Sequence, residues 1–502
     1  MKKTLVAAGV IVALGIVWTG GAWYTGKKME NHLSEMVNQA NEQIKRSAPE
    51  SAVELSYQNY QRGIFSSQLQ LVLKPVAGKE SPWLKQGQTL VLDEAVDHGP
   101  FPFAQLKKFN LIPSMASVKT TPVNNEVTKP LFDIAKGETP FEINSRIGYG
   151  GDTRSAISLK PLNYQNADEK VAFSGGEFQL NADEKGNVVS LSGEAESGLV
   201  DAVNEYNQKV QITFNNLKTE GTSTLASFGE RVGNQKMSLD KVTIAVEGKE
   251  MAVLEGMDIG GKSELVNDGK TINSQLDYSL DSLKVQNQNM GSGKLTLKVG
   301  QIDGQAWHQF SQQYNAQTNA LMAQPEVAKN PELYQQKVTE AFFGALPLLL
   351  KGEPVITVAP LSWKNDKGET TLNLSLFLKD PATTTTPPQT LAQEVDRSVK
   401  SLDARLAIPM DMAVEFMTQV AKLEGYQQDD AEKLANQQVK GLSAMGQMFR
   451  ITTLKDDTIG SNLQYANGQV NLNGQKMSLE DFVGMFGMPA LAVPDAPAIP
   501  QQ

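Results

Sequence analysis

Residues 256–280 read GMDIGGKSELVNDGKTINSQLDYSL, and the first eight letters satisfy the phosphate-loop pattern G-x-x-x-x-G-K-[ST]. A phosphate loop requires a helix directly after its glycines, so that backbone N–H groups and the helix N-terminus face the phosphates. Here a turn at Asn267-Asp268-Gly269 follows, and Leu276, Tyr278 and Leu280 then alternate with period two. That is the pattern of a strand. No apolar run ending in Asp stands where a magnesium-holding partner would be needed. The stretch therefore predicts antiparallel strands, and a nucleotide partner is not expected.

The same period continues on both sides. Leu69, Leu71 and Leu73, then Val242, Ile244 and Val246, then Leu295, Leu297 and Val299 each place apolar side chains on one face of a strand. Turns at Asp183–Asn187, Glu247-Gly248-Lys249 and Asn267–Gly269 supply the residues that accept positive φ in hairpins. Helical spacing takes over at about 303–350, where Trp307, Phe310, Tyr314, Leu333, Val338, Phe342 and Leu346 lie on apolar faces. Strands return in PVITVAPLSW, TTLNLSLFL and SLDARLAIP. Helices are predicted over about 409–424 and 429–449, a hairpin at Asn467-Gly468, and a last helix from Ser478 with Asp481 in the capping-box position. TTTTPP at 383–388 reads as a loop.

MKKTLVAAGVIVALGIVWTGGAWYTGKK opens the chain, and from Thr4 to Thr25 it carries no charged side chain. About 22 helical residues span about 33 Å, enough for a hydrocarbon core of about 30 Å. Trp18, Trp23 and Tyr24 gather where amphipathic rings favour the membrane interface. The expectation is an uncleaved signal anchor with the body in the periplasm; Gly20 and Ala22 also have the spacing of a cleavage site. Met29, Leu33, Met36, Val37, Ala40 and Ile44 then form the apolar stripe of a stalk helix. That stripe packs either on the protein's own body or on a second copy as a short coiled coil.

Composition limits the chemistry. A net charge of −10 over 502 residues, with no basic stripe beyond the ends of the anchor, argues against nucleic acid as a partner. There is no cysteine, so disulfides and thiolate metal sites are excluded. Three histidines, His32, His98 and His308, are scattered over the chain and suit neither a metal site nor a catalytic triad. No G-x-S-x-G elbow, H-E-x-x-H helix or EF-hand loop is present. Asp93-Glu94 and Asp429-Asp430 are adjacent in sequence, so their carboxylates diverge. No cofactor, metal or catalytic residue is expected.

Two stretches remain: YQRGIFSSQLQLVL at 60–73 and DHGPFP at 97–102. Gly63 reads as a bulge or turn that aims Arg62 and Phe65 before the strand begins. Arg62 is expected either to tie consecutive strands through Asp97 or Glu94 or to hold a lipid phosphate or carboxylate. His98 is expected to fix its turn by a hydrogen bond. Arg62, Phe65 and His98 are thus the candidate binding residues. The elements Y-x-R-G-x-F-S-S and H-G-P, the anchor, and the C-terminal NGQKMSLEDFVGMF resemble the YdgA/YihF family of bacterial proteins over the whole chain. The resemblance implies an inner-membrane-anchored periplasmic protein that self-associates and brings no catalytic residues to carry over.

The fold class expected is mainly β with inserted helices (α+β): an N-terminal transmembrane helix followed by a long curved antiparallel sheet. The divisions are an anchor at 1–26, a stalk at 27–48, a strand-rich body at 49–302, a mixed part at 303–492 and a disordered tail at 493–502. The expected function is non-enzymatic: binding or transfer of lipid or another apolar ligand in maintenance of the cell envelope. Methionines such as Met410, Met412 and Met417, with LPLLLKG at 346–352, suit an adaptable apolar groove. The alternative is a structural protein that forms a homodimer and holds no small ligand.

Overall fold

The computed structural model describes residues 2–485 except 48–50, 80, 82–83, 167–168, 205, 323, 329, 384–387 and 389, with side chains described from Trp18 onward. The side chains of residues 1–17, on which most of the anchor reading rests, and the tail at 493–502 lie outside the described residues, as does most of the TTTTPP tract. No helix among the described residues is long and apolar enough to cross a membrane. Among the described residues the fold is dominated by antiparallel sheet, 22 strands with helices inserted between them. The chain divides into two compact units, residues 1–207 with 213–225, and residues 208–212 with 226–502.

In the first unit, helix α1 (Lys2–Ser47) runs for 46 residues without a break, so anchor and stalk segments are one rod. The strands are β1 (Val53–Arg62), β2 (Ser66–Pro75), β3 (Leu90–His98), β4 (Ala116–Pro122), β5 (Phe141–Ile147), β6 (Thr153–Leu159), β7 (Leu162–Gln165), β8 (Lys170–Phe173), β9 (Gly176–Ala182) and β10 (Val188–Val203). They pair in the order β1–β2–β3–β4–β5–β6–β9–β10, every pair antiparallel, with the β7–β8 hairpin joined to β10. Short helices α2 (Phe103–Leu106) and α3 (Lys129–Ile134) interrupt the meander. Period-two reading passed over both because each is a single turn or little more.

The stalk stripe is taken up by this sheet: Leu33 is buried against Leu69, Val96 and Ala116, with Met29 packed alongside. Each fully buried Leu or Val contributes roughly 2 kcal/mol. Among the described pairings β1 has only β2 as a neighbour, and an unpaired strand edge invites association. Asn41 of α1 caps it, its Nδ2 donating to Leu55 O (2.8 Å) and its Oδ1 accepting from Leu55 N (2.6 Å).

Strand β11 (Lys209–Leu225) contributes residues to both units. In the second unit, β12 (Arg231–Val246), β13 (Lys249–Val266), β14 (Thr271–Val285), β15 (Gln288–Asp303), β16 (Val355–Asn365), β17 (Gly368–Leu378) and β18 (Val399–Pro409) form a continuous antiparallel ladder. It continues into β20 (Thr458–Ala466), which also pairs with β19 (Thr453–Lys455) and with β21 (Gln469–Leu472); β22 (Gln475–Ser478) closes the run. The phosphate-loop look-alike at 256–263 lies inside β13, hydrogen-bonded on both sides, as its downstream pattern required. The hairpin at Asn467-Gly468 has φ of 51° and 74°, the left-handed pair of a type I′ turn.

Helices α4 (Gly304–Met322), α5 (Pro325–Ala328) and α6 (Pro331–Leu350) fill the 303–350 region. The others are α7 (Leu391–Ser398), α8 (Met410–Leu423), α9 (Gln428–Met448) and α10 (Leu479–Gly484). Ser478 caps α10, accepting from Asp481 N at 3.0 Å, as the sequence predicted. A compact core of Ala392, Tyr465, Val470, Leu472 and Leu479 ties α7 and α10 to the last strands.

Candidate functional site

Ser67 and His98 face one another across the β2–β3 region, with Ser67 Oγ 2.8 Å from His98 Nε2. The opposite ring nitrogen, Nδ1, lies 3.1 Å from Ile64 O. A carbonyl only accepts, so Nδ1 carries the proton and Nε2 accepts from Ser67. Tyr60 OH, 3.3 Å from Ser67 Oγ, is then the donor to that hydroxyl. Burial holds the His98 pKa below its ordinary value, outweighing the bond to Ile64 that favours the charged ring.

A Ser–His contact of this length is the geometry of an activated nucleophile. Its surroundings close it off. His98 is 2 % exposed and Ser67 is equally buried, and helix α1 lies directly on the ring: a Cβ added at Gly26 would stand 2.4 Å from His98 Cε1. His98 N also donates to Phe65 O at 2.8 Å. His98 thus pins the Gly63–Phe65 turn of the neighbouring hairpin rather than only its own.

The two remaining predicted site residues meet the same helix. Arg62 Nε lies 3.3 Å from Glu30 Oε2, and its guanidinium sits over the Trp23 ring at 5.9 Å from the centroid. The expected partners, Asp97 and Glu94, are engaged elsewhere: Asp97 Oδ2 accepts from Ala104 N (2.8 Å) and Glu94 Oε2 from Thr120 Oγ1 (2.7 Å). Phe65 packs against both Trp18 and Phe103, with ring centroids at 5.3 and 5.5 Å, and those two rings also meet at 4.9 Å. Trp18 Nε1 donates to Phe101 O (3.1 Å) and Thr25 Oγ1 to Gly99 O (3.1 Å). Arg62, Phe65 and His98 are therefore brought together, and what they hold is the helix.

The signal that sequence reasoning missed lies in WTGGAWYTG, 18–26. Gly21, Ala22, Thr25 and Gly26 form one small-residue face of α1. Ala22 is fully buried, and a Cβ at Gly21 would meet Pro100 Cδ at 2.8 Å. Only small side chains let the helix approach the Gly99-Pro100 corner so closely.

A second feature belongs to the other unit. Directly opposed residues share a sheet face, and the ladder from β12 to β18 sets Met237, Ile259, Tyr278, Leu295, Leu361, Leu372 and Leu406 opposite one another in a single row. Beside it run Leu276, Leu297, Val358, Leu374 and Ala404. Six strand spacings make the row about 29 Å long. None of its seven members is fully buried, and Tyr278 and Leu361 are exposed. Helix α8 touches the ladder from β15 to β18; its Met412 Sδ lies 3.1 Å from Thr370 Oγ1, two residues along β17 from Leu372.

Residues 1–480 match a family described as a bacterial protein of unknown function (DUF945). The chain belongs to the DUF945 family. It is 79% identical to Protein YdgA of Escherichia coli K12, over the full length of both chains. It is 34% identical to Uncharacterized protein YihF of the same organism over 96% of this chain and 98% of that one. An uncharacterized protein of Haemophilus influenzae is 25% identical over 61% of this chain and 84% of its own. No solved structure matches.

Within this DUF945 chain the Y-x-R-G-x-F-S-S element acquires a physical reading. Tyr60 and Ser67 feed the hydrogen-bond chain to His98, Gly63 closes the turn by donating to Ser66 O (2.7 Å), and Arg62 and Phe65 grip α1. Among the described residues no group of His, Cys, Asp and Glu is arranged to hold a metal ion.

Proposed function

We propose that the protein is a non-enzymatic body exported to the periplasm and held at the inner membrane by its N-terminal helix, and that the apolar row of the second unit binds lipid acyl chains in envelope maintenance. The row carries this reading: seven adjacent strands each present an apolar side chain in register, and none of the seven is fully buried. A half-exposed Leu still gains roughly 1 kcal/mol on being covered, so a band of them favours an elongated apolar ligand. Its length of about 29 Å exceeds the depth of one leaflet, about half of a 30 Å core, so it accommodates an extended chain. Self-association, which the family resemblance implies, uses surfaces other than Leu33, since the sheet takes up that side chain.

Mass spectrometry of lipids retained by the detergent-extracted full-length protein tests this reading. Phospholipid is expected with the wild type, and Tyr278→Lys combined with Leu361→Lys is expected to lower it about tenfold or more. Both positions are exposed, so the substitutions are expected to leave the fold intact, while an ammonium set against an acyl chain costs at least about 1.4 kcal/mol. A wild type free of lipid, or equal retention by the variant, contradicts the reading.

A further inference from the structure

Helix α1 is docked too early to span a bilayer while the body stands clear of it. Among the described side chains docking is in place from Trp18, through Phe101 O and the Phe65 and Phe103 rings, and continues through Thr25 on Gly99. Ahead of it the uncharged run leaves Thr4 to Val17, 14 residues or about 21 Å of helix, against a hydrocarbon core of about 30 Å. The missing 9 Å or so equals about six residues and reaches Trp23. Tilting the helix only increases the shortfall. On the anchored reading of the preceding section, the turns from Trp18 to Trp23 lie in the bilayer or its interface, and the surface on which they dock goes with them.

That surface has the composition of a membrane contact. From Phe101 to Met115 the chain reads FPFAQLKKFNLIPSM, with two lysines and no acid. Phe109 is 92 % exposed, Leu111 69 % and Ile112 55 %, and Phe103 and Ile64 are exposed as well. Phe109 holds a φ of 55°, a strained conformation for a bulky residue, at the point where its ring is presented to solvent. A soluble surface gains nothing from three such side chains within four residues. An interface does: apolar tips enter the acyl region while Lys107 and Lys108 reach back to phosphate oxygens.

We infer that the Phe103–Pro113 segment, helix α2 and the loop after it, is a second membrane contact, inserting Phe109, Leu111 and Ile112 into the leaflet beside α1 and pairing Lys107 and Lys108 with anionic headgroups. The first unit is thereby seated on the bilayer at two points and cannot swivel freely about a single helix.

The absence of cysteine makes the test clean, since each introduced thiol is the only one. Nitroxide-labelled Phe109→Cys and Leu111→Cys, as full-length protein in vesicles of phosphatidylethanolamine with a minority of phosphatidylglycerol, are compared by collision with oxygen and with a nickel chelate. Labels at Ala13→Cys in the anchor and at the exposed strand position Val188→Cys serve as references. The loop labels are expected to show an oxygen-to-nickel ratio several-fold above that of Val188→Cys, and to become shallower when Lys107→Glu and Lys108→Glu are added. Loop labels as aqueous as Val188→Cys, with Ala13→Cys in hydrocarbon, overturn the loop contact alone. An aqueous Ala13→Cys overturns the anchor as well. Loop labels shielded from both reagents mark a protein partner in place of lipid and overturn the inference.

Discussion

Gly26→Ala is expected to destabilise the first unit by about 1–3 kcal/mol, whereas Gly20→Ala, six residues earlier on the same helix, is expected to stabilise it by up to about 1 kcal/mol. In an isolated helix the two changes are equivalent, because alanine is the better helix former at either position. Their surroundings separate them. Nothing lies within 4 Å of a Cβ built at Gly20, while one at Gly26 falls 2.4 Å from His98 Cε1. His98 cannot yield, because both ring nitrogens are hydrogen-bonded, to Ser67 and to Ile64 O. Thermal unfolding of the two variants checks this, with Trp18 and Trp23 emission as a local reporter. Equal effects from the two substitutions would mean that the helix does not rest on the histidine.

The second large effect concerns pH. Glu94 is 6 % exposed, shares a sheet face with buried Leu69, and receives one hydrogen bond, from Thr120. Burial raises its pKa from 4.5 to about 7, opposed by the Thr120 bond and reinforced by the neighbouring Asp93. The folded chain therefore retains a proton that the unfolded chain releases above 4.5. This contribution is complete below that pH and is lost as pH rises through about 7, a swing of up to about 3 kcal/mol. His98 slopes the other way: held neutral by burial, it costs stability as pH falls below 6.5. The whole-protein curve is therefore blunted, and the comparison with Glu94→Gln isolates the carboxyl. The variant is expected to gain on the wild type by about 2–3 kcal/mol between about pH 5 and about pH 8 in denaturant titrations. A constant difference across that range would show that Glu94 ionises normally.

Local pattern carried the strands and helices well, because each rests on side chains a few residues apart. The alternation at Leu276, Tyr278 and Leu280 became β14, and Asn467-Gly468 became the hairpin it resembled. The site was only partly legible. Arg62, Phe65 and His98 stood out, yet the partner of Arg62 is Glu30, on a helix rather than an adjacent strand. Nothing in local spacing reports a contact between a helix face and a hairpin tip; the small residues Gly21, Ala22, Thr25 and Gly26 were the available clue.

The apolar row was hidden for a different reason. Val358 and Leu361, three residues apart, belong on opposite faces of a regular strand. An extra residue in β16 returns them to one face, opposite Leu297 and Leu295. Register across seven strands depends on such irregularities, and these follow from the assembled sheet.

Helix α1 folds as part of the first unit, held by Arg62, Phe65 and His98. Amide hydrogen exchange of the full-length protein tests this most directly. Residues 18–44 of α1 are expected to exchange as slowly as β1 to β3 and to lose protection together with them on destabilisation. Exchange of that helix segment within seconds, while the strands remain protected, would contradict it.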